Sequence, residues 1–460
     1  MVRNAPMLKR MCAVGAISIG MMAATAVPAT ADSLQQALVR LYNSSPDLMA
    51  ARYAVEGSNE FFNEVAANAL PKVTSDWRAS FTRSYNDILR DTGDFSRTGR
   101  VVGGISVEQG ISPVLSGGVV QVRKTIEASW VNYDQQEQAT ILRGIQSYLG
   151  VIQAKSTISL QAGNITLLER QLQAAQSRYE AGSGTRTQVA QAQASLASAQ
   201  ADIQQARGNL AISEAGYRQV FGSDPQGLIF PPLPAKMPRT LVEALTVALD
   251  DNPSIKAAKV AIEEAEAQKK VTQAELQPSY RVGLGAERTQ NVLDGGGTTD
   301  FSTSFSLSMP LYGNRQISKS KIRRDEIAIY RLHEALNAEQ MAVEQEVIRA
   351  WNQYQTAQAV GNARAMQIQA AELSLRGAEA ELRAGTSTDV DVVSARQSLT
   401  SAQVSASTAR VDVVEGAYSL IAAMGLLSAR DLALPVRYYV PELEFQNRRI
   451  ENLATLLYDR

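Results

Sequence analysis

The chain repeats itself, and that duplication limits its fold more than any other feature. Sliding the 460-residue sequence against itself by 207 positions lays Ser33-Leu34-Gln35-Gln36-Ala37-Leu38 on Thr240-Leu241-Val242-Glu243-Ala244-Leu245. Pro46 then falls on Pro253 and Pro71 on Pro278, without a gap. A second register, 203 positions, lays Ala181-Gly182 on Ala384-Gly385 and Thr185 on Thr388. Two copies of one unit must therefore carry the same elements in the same order. Between them Pro225, Pro231, Pro232, Pro234 and Pro238 exclude regular helix, so 224–239 reads as a linker between repeats at 32–223 and 240–430. Residues 431–460 are left as a C-terminal tail.

Each repeat opens with a capped helix interrupted by Pro46 or Pro253, where proline suits the first turn of a new helix. Strand signals follow. Val73, Trp77, Ala79, Phe81 and Tyr85 alternate with Thr74, Asp76, Arg78, Ser80, Thr82 and Ser84. The fourth strand sets Phe301, Phe305, Leu307 and Met309 against Ser302, Ser304, Ser306 and Ser308. This period of two marks strands with one apolar face, expected at about 73–86, 100–111, 280–290 and 300–310. A half-covered soluble sheet gives the same alternation, but strands of about ten residues with aromatics near their ends suit a membrane barrel. The intervening loops, Asn86–Gly99 and Asn291–Asp300, are polar and glycine-rich, as exposed turns are. Four strands cannot close a barrel, and hydrocarbon does not tolerate an open sheet edge, so a membrane location implies several chains sharing one barrel.

After Pro113 and Pro310 nothing breaks a helical reading until Ala181 and Ala384, which gives rods on the order of 100 Å. Gly182-Ser183-Gly184-Thr185 and Gly385-Thr386-Ser387-Thr388 then reverse the chain. The returning helices keep a seven-residue period. Val189, Leu196, Ile203, Leu210 and Tyr217 form one seam and Val392, Leu399, Ala406, Val413 and Leu420 the other, with small residues between, a pattern for close left-handed packing. The fold class expected is mainly α with a small β part, built of long antiparallel coiled-coil hairpins.

The remaining composition excludes much chemistry. Forty-five Lys and Arg against 46 Asp and Glu leave no basic excess for nucleic acid. Residues 1–31 combine Arg3, Lys9 and Arg10, an apolar Met11–Val27 stretch and Ala29-Thr30-Ala31, which reads as a secretory signal peptide. Its removal takes the only cysteine, Cys12, and leaves a net charge of about −4. With His333 the sole histidine, no metal site or cofactor is expected, and carboxylate pairs such as Glu263-Glu264 read as solvated helix surface rather than enzyme chemistry.

The signal peptide, the duplication, two strands per repeat and hairpins reversing at Ala-Gly-Ser/Thr turns together resemble the TolC family of outer-membrane channel proteins. The resemblance covers about 33–430, and Asp391-Val392 after Gly385-Thr386 matches the family's entrance-tip motif. It implies a homotrimer in outer-membrane lipid, with a shared 12-stranded β-barrel and an α-barrel tunnel through the periplasm. It also implies a periplasmic adaptor (membrane fusion protein) and an inner-membrane transporter as partners, in drug efflux or type I secretion.

By the same resemblance the entrance is expected at Asp391, Ser394, Ser387 and Gln188, and adaptor docking at Ala181, Gly182, Ser183, Ala384, Gly385 and Thr386; the duplication adds Arg186 and Asp389 to the entrance. Two positions depart from the family pattern: Ser394 stands where a second entrance aspartate is expected, and Ser387 where a latching arginine is. Because the 203-residue register sets Arg186 opposite Asp389, those two charges are expected to meet around a threefold axis and hold the entrance shut. A secreted coiled-coil structural or filament protein is the alternative that the heptads alone leave open.

Overall fold

The computed structural model describes residues 32–85, 95–293 and 295–448. The leader expected over 1–31, most of the first strand loop, Asp294 and residues 449–460 lie outside the described residues. Each repeat starts with a short and a medium helix: α1 Leu34–Ser44 and α2 Pro46–Ala67 in the first, α5 Leu241–Asp251 and α6 Pro253–Ala274 in the second. Ser33 and Gln36 form a reciprocal capping box at α1. The prolines sit at the first position of α2 and α6, behind the caps Ser45 and Asn252, where a missing N–H costs no hydrogen bond.

Next come β1 Lys72–Tyr85 and β2 Phe95–Ile111, then β3 Ser279–Asn291 and β4 Gly297–Ser308. They make one four-stranded sheet in the order β1-β2-β3-β4, every pairing antiparallel. Three boundaries differ from the sequence expectation by more than one residue, the third being the start of β4 at Gly297 rather than near 300. β2 starts at Phe95 rather than near residue 100, because Thr98 and Gly99 pair with Thr82 and Phe81 although no alternation announces it. β4 ends at Ser308, and Pro310, which has no N–H to donate, falls outside it.

The ladder fixes which side chains share a face. Val73, Trp77 and Phe81 stand with Val101, Ile105, Leu284, Phe305 and Phe301, and Thr74, Arg78, Ser106, Ser302 and Ser304 lie on the other side. No helix among the described residues packs across either face. Trp77 is 78% and Phe301 84% exposed, so the apolar face is not part of a soluble core. Glycines occur where a neighbour needs room. A Cβ on Gly103 would sit 2.5 Å from the Trp77 ring, and one on Gly283 2.5 Å from Ser304 Oγ.

From the sheet descend α3 Pro113–Glu180 and α7 Asn314–Arg383, of 68 and 70 residues. They return as α4 Arg186–Phe221 and α8 Asp389–Ala423. None of the described helices is long and apolar enough to cross a membrane. The small seam residues are buried as the heptad requires, Ala192, Ala199 and Ala206 in the first hairpin and Ala402 and Ala409 in the second.

The main apolar core sits midway along the molecule, where Leu38, Leu41, Ile145, Leu149, Tyr217, Phe221, Val414 and Ile421 from both repeats meet. The segment expected to be a tail belongs to it in part. Leu434 is buried there, Tyr439 packs on Tyr133, and Phe445 of α9 (Pro441–Arg448) meets Phe62 edge-on at 5.1 Å. The linker has no helix or strand, but it is fastened to this core. Tyr148 Oη lies 2.7 Å from the carbonyl oxygens of both Asp32 and Ile229 and accepts from Ile229 N at 3.0 Å. Ile229 N also reaches Asp32 O at 3.3 Å, so Tyr148→Phe removes the hydroxyl's share of this network without orphaning the pair and is expected to cost about 0.5–1.5 kcal/mol. A fall in the thermal unfolding midpoint checks this, and an unchanged midpoint would show that the linker is held without the hydroxyl.

Candidate functional site at the hairpin tips

The two reversals are near copies in geometry. At the first, Gly182 takes φ +75° and the amides of Ser183 and Gly184 donate to Arg178 O at 2.9 and 3.0 Å. At the second, Gly385 takes φ +76° and Thr386 N donates to Glu381 O at 3.0 Å. The left-handed glycine satisfies the last carbonyls of each descending helix. Ala181, Gly182 and Ser183, like Ala384, Gly385 and Thr386, are exposed, so both tips present a small-residue surface.

The returning helices start with reciprocal caps. Thr185 N donates to Gln188 Oε1 at 2.9 Å while Gln188 N donates to Thr185 Oγ1 at 3.3 Å. In the second hairpin Asp391 takes the place of the glutamine. Its Oδ2 accepts from Thr388 Oγ1 at 2.6 Å, from Thr388 N at 2.8 Å and from Ser387 Oγ at 3.0 Å. These donors, the Thr388 hydroxyl foremost, hold the carboxyl below its ordinary range. Asp391 is thus a fixed negative charge on the exposed tip, and Ser387 helps to hold it there.

Asp389 is engaged by a residue that the sequence did not point to. Arg178, in the last turn of α3, donates to both carboxylate oxygens, Nη2 to Oδ1 at 2.9 Å and Nη1 to Oδ2 at 2.5 Å. Arg186, the expected partner, is exposed and its side chain makes no ion pair or hydrogen bond among the described residues. Ser394 is exposed as well. The register of the halves is silent about Arg178, because a pair 211 positions apart exists only once one hairpin lies on the other.

The Arg178–Asp389 bridge ends a polar ladder between α3 and α8. Gln146 donates to Glu415 at 3.2 Å, Gln153 to Thr408 at 3.1 Å, and the Ser156 and Ser407 hydroxyls lie 2.8 Å apart. Towards the tips the two hairpins part over a groove lined by Asn164, Gln191, Ser198, Gln397 and Ser401. Within a hairpin the seam is apolar, whereas between hairpins it is amide and hydroxyl. Each such bond is worth about 0.5–1.5 kcal/mol net, and an exposed ion pair about 0–1 kcal/mol.

A family model described as "Outer membrane efflux protein" matches residues 34–223 and 244–426, both repeats without the linker. The chain belongs to the outer membrane efflux protein family. It is 29% identical over 429 residues to the outer membrane efflux protein BepC of Brucella suis biovar 1, which covers 92% of this chain and 91% of that one. It is 23% identical over 419 residues to the alkaline protease secretion protein AprF of Pseudomonas aeruginosa, covering 86% and 85%. Among solved structures the Campylobacter jejuni CmeC outer membrane channel superposes with a TM-score of 0.74 at 14% identity, over 90% of this chain and 88% of that one, a likeness of fold.

As an outer membrane efflux protein the chain is a channel of the outer membrane, with its helical part in the periplasm, and not an enzyme. That sets aside the filament alternative. The Glu263-Glu264 pair has structural partners, Glu263 with Lys124 at 2.8 Å and Glu264 with the Thr125 hydroxyl at 2.7 Å.

The cap at Asp391 gives a pH dependence of definite sign. A carboxyl lowered in the folded state stabilises above its ordinary pKa of about 3.9, and the contribution is lost as pH falls through the lowered value. Amide-exchange protection at Asp391 and Val392 is therefore expected to drop only in strong acid. In Asp391→Ala it should be low already at neutral pH, with no acid step. Equal protection in both proteins would show that the cap does not hold the tip.

Proposed function

We propose that three copies form one channel-tunnel, the exit duct of a tripartite efflux pump or type I secretion system. One observation carries this reading: a sheet with an apolar face and a hydroxyl-rich face ends in two unpaired edges, β1 and β4, that run antiparallel to each other. Joining β4 of one copy to β1 of the next continues the alternation, and three copies give twelve strands with the serines lining the lumen. Strands of 12–17 residues exceed the roughly 9–11 needed to cross a bilayer.

In this reading the tips face a periplasmic adaptor and, beyond it, an inner-membrane transporter. Asp391, Ser394, Ser387, Gln188, Arg186 and Asp389 surround the entrance, and the weak α3–α8 ladder lets the second hairpin swing from the first. BepC is named for efflux and AprF for protease secretion, so family membership supports both duties; the higher identity favours efflux.

Reconstituted in a planar bilayer, the protein is expected to conduct ions, and Arg178→Glu, which sets two negative charges together, should raise conductance severalfold. Wild-type conductance in that variant would remove the bridge from the gate. For docking, Gly182→Leu and Gly385→Leu should abolish dye efflux in cells at unchanged outer-membrane level. Gly182→Asn, which tolerates φ above zero, should retain it. Full efflux in both leucine variants would contradict adaptor docking at these tips.

A further inference from the structure

Four helices continue the four strands, and α2 and α7 are the outer two. Among the described residues each is packed on one side only, α2 against α3 and α9 and the upper part of α7 against α6. α2 sets Phe62 and Ala66 into a cluster with Val122 and Ile126 of α3. α7 turns Lys321 and Asp325 toward α6, to Glu275 at 3.0 Å and to the Thr272 hydroxyl at 2.6 Å.

The free flanks carry opposite charges at matching steps. On α2, Glu60 and Glu64 are exposed and four residues apart. On α7, Arg315, Lys319 and Arg323 are exposed, again at four-residue steps. Like charges one helical turn apart repel, so each row weakens its own helix unless something answers it. The three cations make no ion pair among the described residues, and Glu60 receives only Asn63 Nδ2, at 3.2 Å.

The rows also lie at one height. Glu64 stands eight residues before Lys72, where β1 begins, and Arg315 seven residues after Ser308, where β4 ends. α2 climbs toward the sheet as α7 descends from it, so at 100° per residue both rows fall on the same flank of a joint between them. Apolar side chains border the rows: Tyr53 and Phe61 on α2 are 62% and 47% exposed, and Ile327 and Tyr330 on α7 are 68% and 71%. Gly57 has open space where a neighbour could approach.

We infer that α2 of one copy packs against α7 of the next, with Glu64 opposite Arg315 and Glu60 opposite Lys319. Arg323 adds positive charge one turn below, Tyr53 is covered by the Ile327–Tyr330 turn, and Phe61 falls level with the exposed Ile317. This rests on the shared-barrel reading and adds its register: the helical seam directly below the membrane selects the head-to-tail neighbour that lets β4 meet β1. A head-to-tail contact closes into a ring when its rotation divides the full turn, as a threefold repeat of this seam does.

The test is charge exchange in the full mature protein, purified in detergent. Glu60→Lys with Glu64→Lys, or Arg315→Glu with Lys319→Glu, is expected to lower the temperature at which the trimer dissociates in dodecyl sulfate by about 5 °C or more at low salt. All four changes together should restore the wild-type temperature. A second measurement needs no destabilisation. The mature chain lacks cysteine, so Glu60→Cys with Lys319→Cys, treated with a short bifunctional maleimide, should give a covalent three-chain band that neither single variant gives. A wild-type mass of three chains with no rescue by the fourfold exchange and no cross-link overturns the seam alone. A wild-type mass of one chain overturns the shared barrel beneath it.

Discussion

Every backbone N–H and C=O in hydrocarbon needs a partner, and β1 and β4 each leave one side without any. An unpaired amide in an apolar medium costs several kcal/mol, and a strand of 12 or 14 residues exposes the N–H and C=O of every second residue along its free edge. Nothing else in the described chain covers those edges. The sheet can sit in a membrane only if another chain supplies the missing ladder, and its four strands alternate so that an identical chain can. The long helices inherit that geometry, because each strand runs directly into the helix below it and the wall of the barrel becomes the wall of the tunnel.

Below the membrane, polarity divides what is permanent from what can move. Where the repeats join for good, the contacts are apolar and buried, as at Leu149, Tyr217 and Ile421, and Tyr148 secures the linker to them. Farther down, each hairpin keeps its apolar seam, but α3 meets α8 through single hydroxyl and amide bonds that water can replace at small cost. The fold thus places its weakest interface at the end where the proposed gate lies. The helical seam inferred between copies uses the same economy near the membrane, with charge choosing the neighbour and the β-ladder supplying most of the strength.

Much of this was legible in the sequence because it is periodic. Alternation exposed the strands, the heptads exposed the returning helices, and the two registers showed that Gly182 and Gly385 do one job twice. What stayed hidden is contact between segments far apart in sequence. Arg178 is an ordinary charge in the last turn of a helix until Asp389 is folded onto it, and the duplication, which sets Arg186 opposite Asp389 around a threefold axis, is silent about contacts within one chain. The first residues of β2, from Phe95 to Gly99, were missed because Gly99 has no side chain to alternate. Residues 431–448 read as a tail because Leu434 and Phe445 show no period, and only their burial reveals that they pack against the first repeat.

The claim on which all of this turns is that the sheet closes between copies. Native mass spectrometry of the mature protein released from detergent micelles measures it directly. The expected result is a single species of three chains that survives until the β-structure melts. A folded species of one chain, with the same strand content, would show that β1 and β4 find their partners in some other way, and would contradict the account.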